Sequence, residues 1–131
     1  MAKAKMSKQL TFDMPDKPGL LAGVTDALRQ AKVNVSYLCA YAWDKRAFFM
    51  LVTEENAKAK KAVSKLGYKV GEEGIIEVEL PNKAGALDEV AKKIAGAGIN
   101  INFIDCTGVG RAAKAFLTTS DDKKAVRAIN K

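Results

Sequence analysis

Apolar residues recur along the chain in two alternating rhythms. Residues 9–14 alternate, with Leu10, Phe12 and Met14 on one side, which predicts a strand. Residues 15–19 form a turn. Leu20/Leu21, Val24, Leu28 and Ala31 then follow at helical spacing and make one apolar stripe. Pro18 suits the first turn of that helix. Residues 33–43 are β-rich, Asp44-Lys45 is a hairpin turn, and 47–53 is the partner strand. A second helix over 57–66 turns Val63 and Leu66 inward and Lys58, Lys60, Lys61 and Lys65 outward, with Gly67 ending it. Residues 68–70 give a short fourth strand. The order β-α-β-β-α-β is the ferredoxin-like split pattern.

The same string then starts again. Residues 75–80 form a strand, and 84–97 a helix with Leu87, Val90, Ile94 and Ala97 inward and Gly98 closing it. Residues 99–109 and 113–119 form a hairpin turning at Gly110-Arg111. Residues 121–130 form the last helix, capped by Ser120 or Asp121. No counterpart of the fourth strand follows. An open sheet edge invites pairing, so another chain or the N-terminal arm is expected to fill it. The fold class is therefore α+β, with two ferredoxin-like βαββαβ repeats, the second lacking its last strand. The domains are expected at 1–71 and 72–131.

The repetition extends to identities. Asp16-Lys17-Pro18-Gly19-Leu20-Leu21 returns as Asn82-Lys83-Ala84-Gly85-Ala86-Leu87, and Val33-Asn34-Val35 as Ile99-Asn100-Ile101. Both pairs keep an offset of 66 residues, 16 to 82 and 34 to 100, without a gap. Leu51 falls on Leu117 and Thr53 on Thr119. Self-similarity at fixed spacing fixes architecture before any residue is given a role.

Composition narrows the function classes. Of 131 residues, 48% are apolar and the charge is spread rather than blocked, which predicts a globular chain. No apolar run approaches the ~20 residues of a membrane span. The basic first eight residues have no apolar stretch behind them, so they do not read as a secretory signal, and the cytoplasm is the expected location. Histidine is absent, and Cys39 and Cys106 lie in no CxxC spacing, so no metal and no cofactor are expected and the cysteines read as buried free thiols. No acyl-nucleophile or phosphate-loop motif is present, so the chain is not read as an enzyme. The net charge of +7 supports an alternative, a basic ferredoxin-like nucleic-acid-binding module. Adjacent Phe48 and Phe49 point to opposite sheet faces, however, and base stacking needs aromatics on one face. Phe48-Phe49-Met50-Leu51-Val52 is apolar on both alternating sets, which predicts a covered second face and so a homodimer or higher.

Candidate chemistry gathers at the turn before the first helix of each repeat. Gly19 and Gly85 lack a Cβ, so a ligand can approach the backbone. The N–H groups of Leu20, Leu21, Ala86 and Leu87 lie at helix starts, which attract carboxylates. Asn34 and Asn100 stand at the start of the following strand, expected near the same end of the sheet, where an amide can donate to a carboxylate and accept from an ammonium. Asp16 adds a charge for an amine, and Asn82 a neutral counterpart. Together these groups suit a zwitterion such as a free amino acid. Turn geometry and capping are the alternative use of the same residues.

D-x-P-G-x-L, a helix, then V-N-V or I-N-I resembles the ACT domain, a small amino-acid-sensing regulatory module. The resemblance covers roughly 8–70 and 74–130, and the arrangement is similar to stand-alone tandem ACT proteins without a catalytic domain. It implies a non-catalytic regulatory protein, a free amino acid bound at the interface between two repeats, and a separate regulated protein that reads the change. In serine-regulated phosphoglycerate dehydrogenases a loop of one module and the strand-start Asn of the other grip the ligand. By resemblance the loop position falls on Asp16 and Asn82, and the strand position on Asn34 and Asn100. A crossed pairing would join Asp16 with Asn100, and Asn82 with Asn34. The His before the loop in that family is Met14 and Leu80 here, and Ala84 replaces the usual Pro.

Overall fold

The computed structural model describes all 131 residues. Ten elements follow in the order β1 (Lys3–Pro15), α1 (Leu20–Gln30), β2 (Val35–Trp43), β3 (Arg46–Thr53), α2 (Asn56–Ser64), β4 (Gly71–Pro81), α3 (Ala86–Gly96), β5 (Ile101–Val109), β6 (Ala112–Thr119) and α4 (Asp122–Ile129). They make an α+β protein of two ferredoxin-like repeats. No helix is long and apolar enough to cross a membrane.

The chain forms two compact units, Lys8–Glu73 and Met1–Ser7 with Gly74–Lys131. The Lys8–Glu73 unit has strand order β2-β3-β1-β4. Its fourth strand is residues 71–73, the start of β4, and the expected strand over 68–70 is irregular. The other unit has the order β1-β4-β6-β5. Its fourth strand is residues 3–7, the start of β1. The N-terminal arm thus fills the sheet edge that the second repeat leaves open. Two long strands, each divided between units, replace the short strands expected at 9–14, 68–70 and 75–80.

Asn130 fastens the arm. Its Oδ1 accepts from the Ala4 N–H at 2.7 Å, and its Nδ2 donates to the Ala4 carbonyl at 2.9 Å. Ala2 and Ala4 pack against the core made by Ile76, Val78, Val90, Ile94, Leu117 and Ile129. In the other unit Leu10, Phe12, Phe49, Leu51, Val24, Leu28 and Val63 form the equivalent core, with the Phe12 and Phe49 rings stacked 5.0 Å apart.

Local geometry repeats along with the sequence. The Asn56 Oδ1 accepts from the Thr53 N–H and hydroxyl at 3.0 and 2.8 Å, and the Asp122 Oδ1 accepts from the same groups of Thr119 at 2.8 and 2.7 Å. Asp121 caps α4, accepting from the Lys124 N–H at 3.1 Å. Helix α1 ends with Val33 N–H donating to the Leu28 carbonyl and Lys32 N–H to that of Arg29, a Schellman pair. Helix α3 repeats it with Ile99 to Ile94 and Gly98 to Ala95. The residue in the left-handed region is Lys32 (φ 60°) in the first case and Gly98 (φ 74°) in the second. The β2–β3 turn puts Asp44 and Lys45 at φ 49° and 66°, the conformation that matches the twist of a two-residue hairpin.

Several inward assignments shift. Leu66 is 41% exposed and Leu87 42%; Ala59 with Val63, and Ala86 with Val90 and Ile94, are the buried faces. Leu66 falls after the last turn of α2, and Leu87 follows the buried Ala86 by one position, a rotation of about 100°. Pro18 precedes the N-cap Gly19 rather than standing in the first turn. Neither cysteine forms a disulfide, but Cys39 is half-buried and Cys106 exposed, each on a strand with one paired neighbour.

Candidate functional site

Each repeat turns from its first strand into its first helix through a glycine in the left-handed region. Gly19 lies at φ 91° and Gly85 at φ 88°, and neither helix start has a side-chain cap. A Cβ at either glycine would meet nothing within 4 Å. Backbone conformation therefore selects glycine, and the space beside it stays open. The loops are tied to the hairpin tips. Asp16 N–H donates to the Lys45 carbonyl at 2.9 Å, and Asn82 N–H to that of Arg111 at 3.0 Å.

In the Lys8–Glu73 unit this arrangement opens a cleft of about 280 Å³. The loop and helix start, Asp16, Lys17, Gly19, Leu20 and Leu21, form one wall. The hairpin supplies Ala40, Tyr41, Ala42, Ala47 and Phe49. The cleft thus offers a carboxylate, an ammonium, a helix start and an apolar floor. Tyr41 and Phe49 were not among the candidates, because they reach the loop only through the β1–β3 pairing, with Pro15 opposite Arg46, combined with the β2–β3 register. The signal available in the sequence was the two-residue turn at Asp44-Lys45, which fixes that register.

The loop of the other unit is differently disposed. The Asn82 Nδ2 donates to the Gly110 carbonyl at 2.9 Å. Its amide lies so close to Gly108 that a Cβ there would sit 2.5 Å from Oδ1. Of the four helix-start N–H groups, that of Ala86 is engaged by the Lys83 carbonyl at 3.2 Å.

Asn34 and Asn100 do not stand at the loop end of their own repeats. Val35 pairs with Thr53 and Trp43 with Arg46, while Pro15 pairs with Arg46. Asp16 is therefore at the hairpin-tip end and Asn34 at the other. Asn100 likewise lies by Ser120, with Asn100 N–H donating to the Ser120 Oγ at 3.0 Å, whereas Pro81 pairs with Ala112. A strand such as Val35–Trp43 separates the two ends by roughly 26 Å. The helix between loop and strand carries the chain down the sheet, so sequence proximity misleads here. A small zwitterion cannot touch loop and asparagine of one repeat.

One carboxylate is buried. Glu77, on β4, is 8% exposed and pairs with the Lys114 Nζ at 3.0 Å. Burial pushes its pKa up, but a hydrogen bond from Ser7, the Lys114 ammonium and the Lys5 charge outweigh burial and hold it below the ordinary range.

No protein-family profile matches the chain, and no curated protein does. Solved structures do share its fold. Protein BT0572 from Bacteroides thetaiotaomicron superposes with a TM-score of 0.90 at 24% identity, over 97% of this chain and 88% of that one. The regulatory subunit of aspartate kinase from Thermus flavus gives 0.66 at 17% identity, over 98% and 95%. Clostridium acetobutylicum aspartate kinase, described as an allosteric enzyme, gives 0.64 at 12% identity, over 98% of this chain and 33% of that one. The fold is thus one that this chain shares with the regulatory subunit of an aspartate kinase.

Proposed function

We propose that this chain is a cytoplasmic, non-catalytic regulatory protein that binds a free amino acid at the interface between ACT-like repeats, the domains read from sequence at 1–71 and 72–131. The observation that carries the reading is the open cleft where Asp16 and the uncapped helix start at Gly19 lie together. The carboxylate suits the ligand ammonium, and the helix start suits its carboxylate. Asp16 and Asn34 lie at opposite ends of one repeat, so a ligand held by a loop and a strand-start asparagine has to bridge two repeats, of this chain or of a second copy. Bridging is what would make binding regulatory, because a ligand shifts an equilibrium only by its different affinity for two arrangements. Likeness to aspartate kinase regulatory subunits supports a separate protein as the reader of that change. A homodimer or higher assembly fits the same requirement.

A thermal-shift screen against the twenty common amino acids tests the reading. An amino acid at 100 times its Kd stabilises by roughly 2.7 kcal/mol, a rise of about 8–16 °C at this size. Asn100→Ala should remove most of the rise. No response to any amino acid, together with steeply salt-dependent nucleic-acid binding, would replace this reading with the nucleic-acid one.

A further inference from the structure

The two repeats differ at one pair of positions that governs whether the loop is open. Asn82 folds back onto its hairpin, donating from Nδ2 to the Gly110 carbonyl at 2.9 Å. A Cβ on Gly108 would lie 2.5 Å from the Asn82 Oδ1, 2.7 Å from its Cγ and 2.8 Å from Nδ2. The folded-back amide fits only because residue 108 is glycine. The 66-residue offset places Asp16 at the Asn82 position and Ala42 at the Gly108 position. Ala42 carries the methyl that the fold-back cannot accommodate. An ionised carboxylate also has no proton to give the hairpin carbonyl. Both differences act in one direction. Asp16 and Ala42 accordingly line the open cleft of about 280 Å³. Beside the second hairpin a cleft of about 240 Å³ is lined by Glu79, Thr107, Val109, Ala112, Ala113 and Lys114, and by no residue of the loop.

We infer that the repeats are unequal: Asp16 and Ala42 keep the first loop open as the amino-acid site, while Asn82, latched over Gly108, closes the second. This rests on the amino-acid reading above and deepens it. One amino acid is then bound per chain, not two. Asp16 takes the ammonium, and the N–H groups that follow Gly19 take the carboxylate.

The test uses the full chain, isotope-labelled for NMR, with a mixture of the twenty common L-amino acids as probe. Without the probe, one Asn82 side-chain proton should exchange slowly, and Gly108→Ala should abolish that protection. Rapid exchange in the parent overturns the latch. With the probe, the Leu20 and Leu21 amide signals should move and those of Ala86 and Leu87 should stay. Asn82→Ala, which needs no extra space, should make Ala86 and Leu87 respond; it keeps the test decisive if Gly108→Ala misfolds. The double change Asp16→Asn with Ala42→Gly should latch the first loop and weaken binding by on the order of tenfold or more. Equal movement of both amide pairs in the parent refutes the inequality and leaves amino-acid binding standing. No movement in parent or variants refutes the binding reading itself, and the inequality with it.

Discussion

Asn130→Ala probes how the second repeat completes its sheet. The two bonds between Asn130 and the Ala4 backbone, at 2.7 and 2.9 Å, sit at an exposed edge, so water replaces part of what is lost. Each such bond contributes about 0.5–1 kcal/mol net, which puts the loss at about 1–2 kcal/mol. A 131-residue chain shifts its Tm by roughly 3–6 °C per kcal/mol, so the melt should fall by about 3–12 °C. Asn130→Asp keeps the acceptor and loses the donor, and should fall between parent and alanine. Deleting residues 1–7 should cost more than either, because it also removes the Ala2 and Ala4 packing and the Ser7 bond to Glu77. Thermal melts followed by circular dichroism give the magnitudes. Amide exchange gives the location, with the Ala4 N–H losing protection in the alanine variant. An unchanged Tm in both the alanine variant and the deletion would show that the arm does not serve as the fourth strand.

Three further outcomes follow from the packing and the charges. Ile94→Ala opens a cavity at a site only 1% exposed and should cost about 2–5 kcal/mol in urea unfolding, whereas Leu66→Ala should cost under about 1 kcal/mol; similar losses would undo the burial assignment. Lys32→Gly relieves a left-handed φ of 60° at a Schellman position that Gly98 fills in the other repeat, and should stabilise by up to about 1 kcal/mol in the same assay; a destabilised variant would count against that geometry. The folded pKa of Glu77 lies below its unfolded value, so its contribution is present above the unfolded pKa and is lost as pH falls through the folded one. Glu77→Gln should therefore lower the urea midpoint at neutral pH and converge with the parent in acid, and a gap that persists in acid would point to packing instead.

The repeat, the element order and the helix-end glycines are legible in the sequence because local stereochemistry dictates them. A left-handed turn selects Gly19 and Gly85, alternation marks strands, and 3.6-residue spacing marks helices. The early end of α2 before Leu66 and the one-position rotation at Leu87 are less legible, because helix ends are set by caps that tertiary packing adjusts. The candidate site was legible by half. Asp16, Gly19, Leu20 and Leu21 do share a cleft, but Tyr41 and Phe49 entered it through strand pairing, and Asn34 went to the far end. A hydrogen-bonded register links residues distant in sequence, and nothing local encodes it.

Taken alone, the sequence determined that the chain is a doubled βαββαβ protein with a glycine turn ahead of each first helix. Only the tertiary structure decided that residues 3–7 supply the second repeat's missing strand, that Asn34 lies a strand length from Asp16, and that Asn82 folds over Gly108. The physical reason is the same for all three. Each depends on which backbone lies beside which, and on whether a single Cβ has room there.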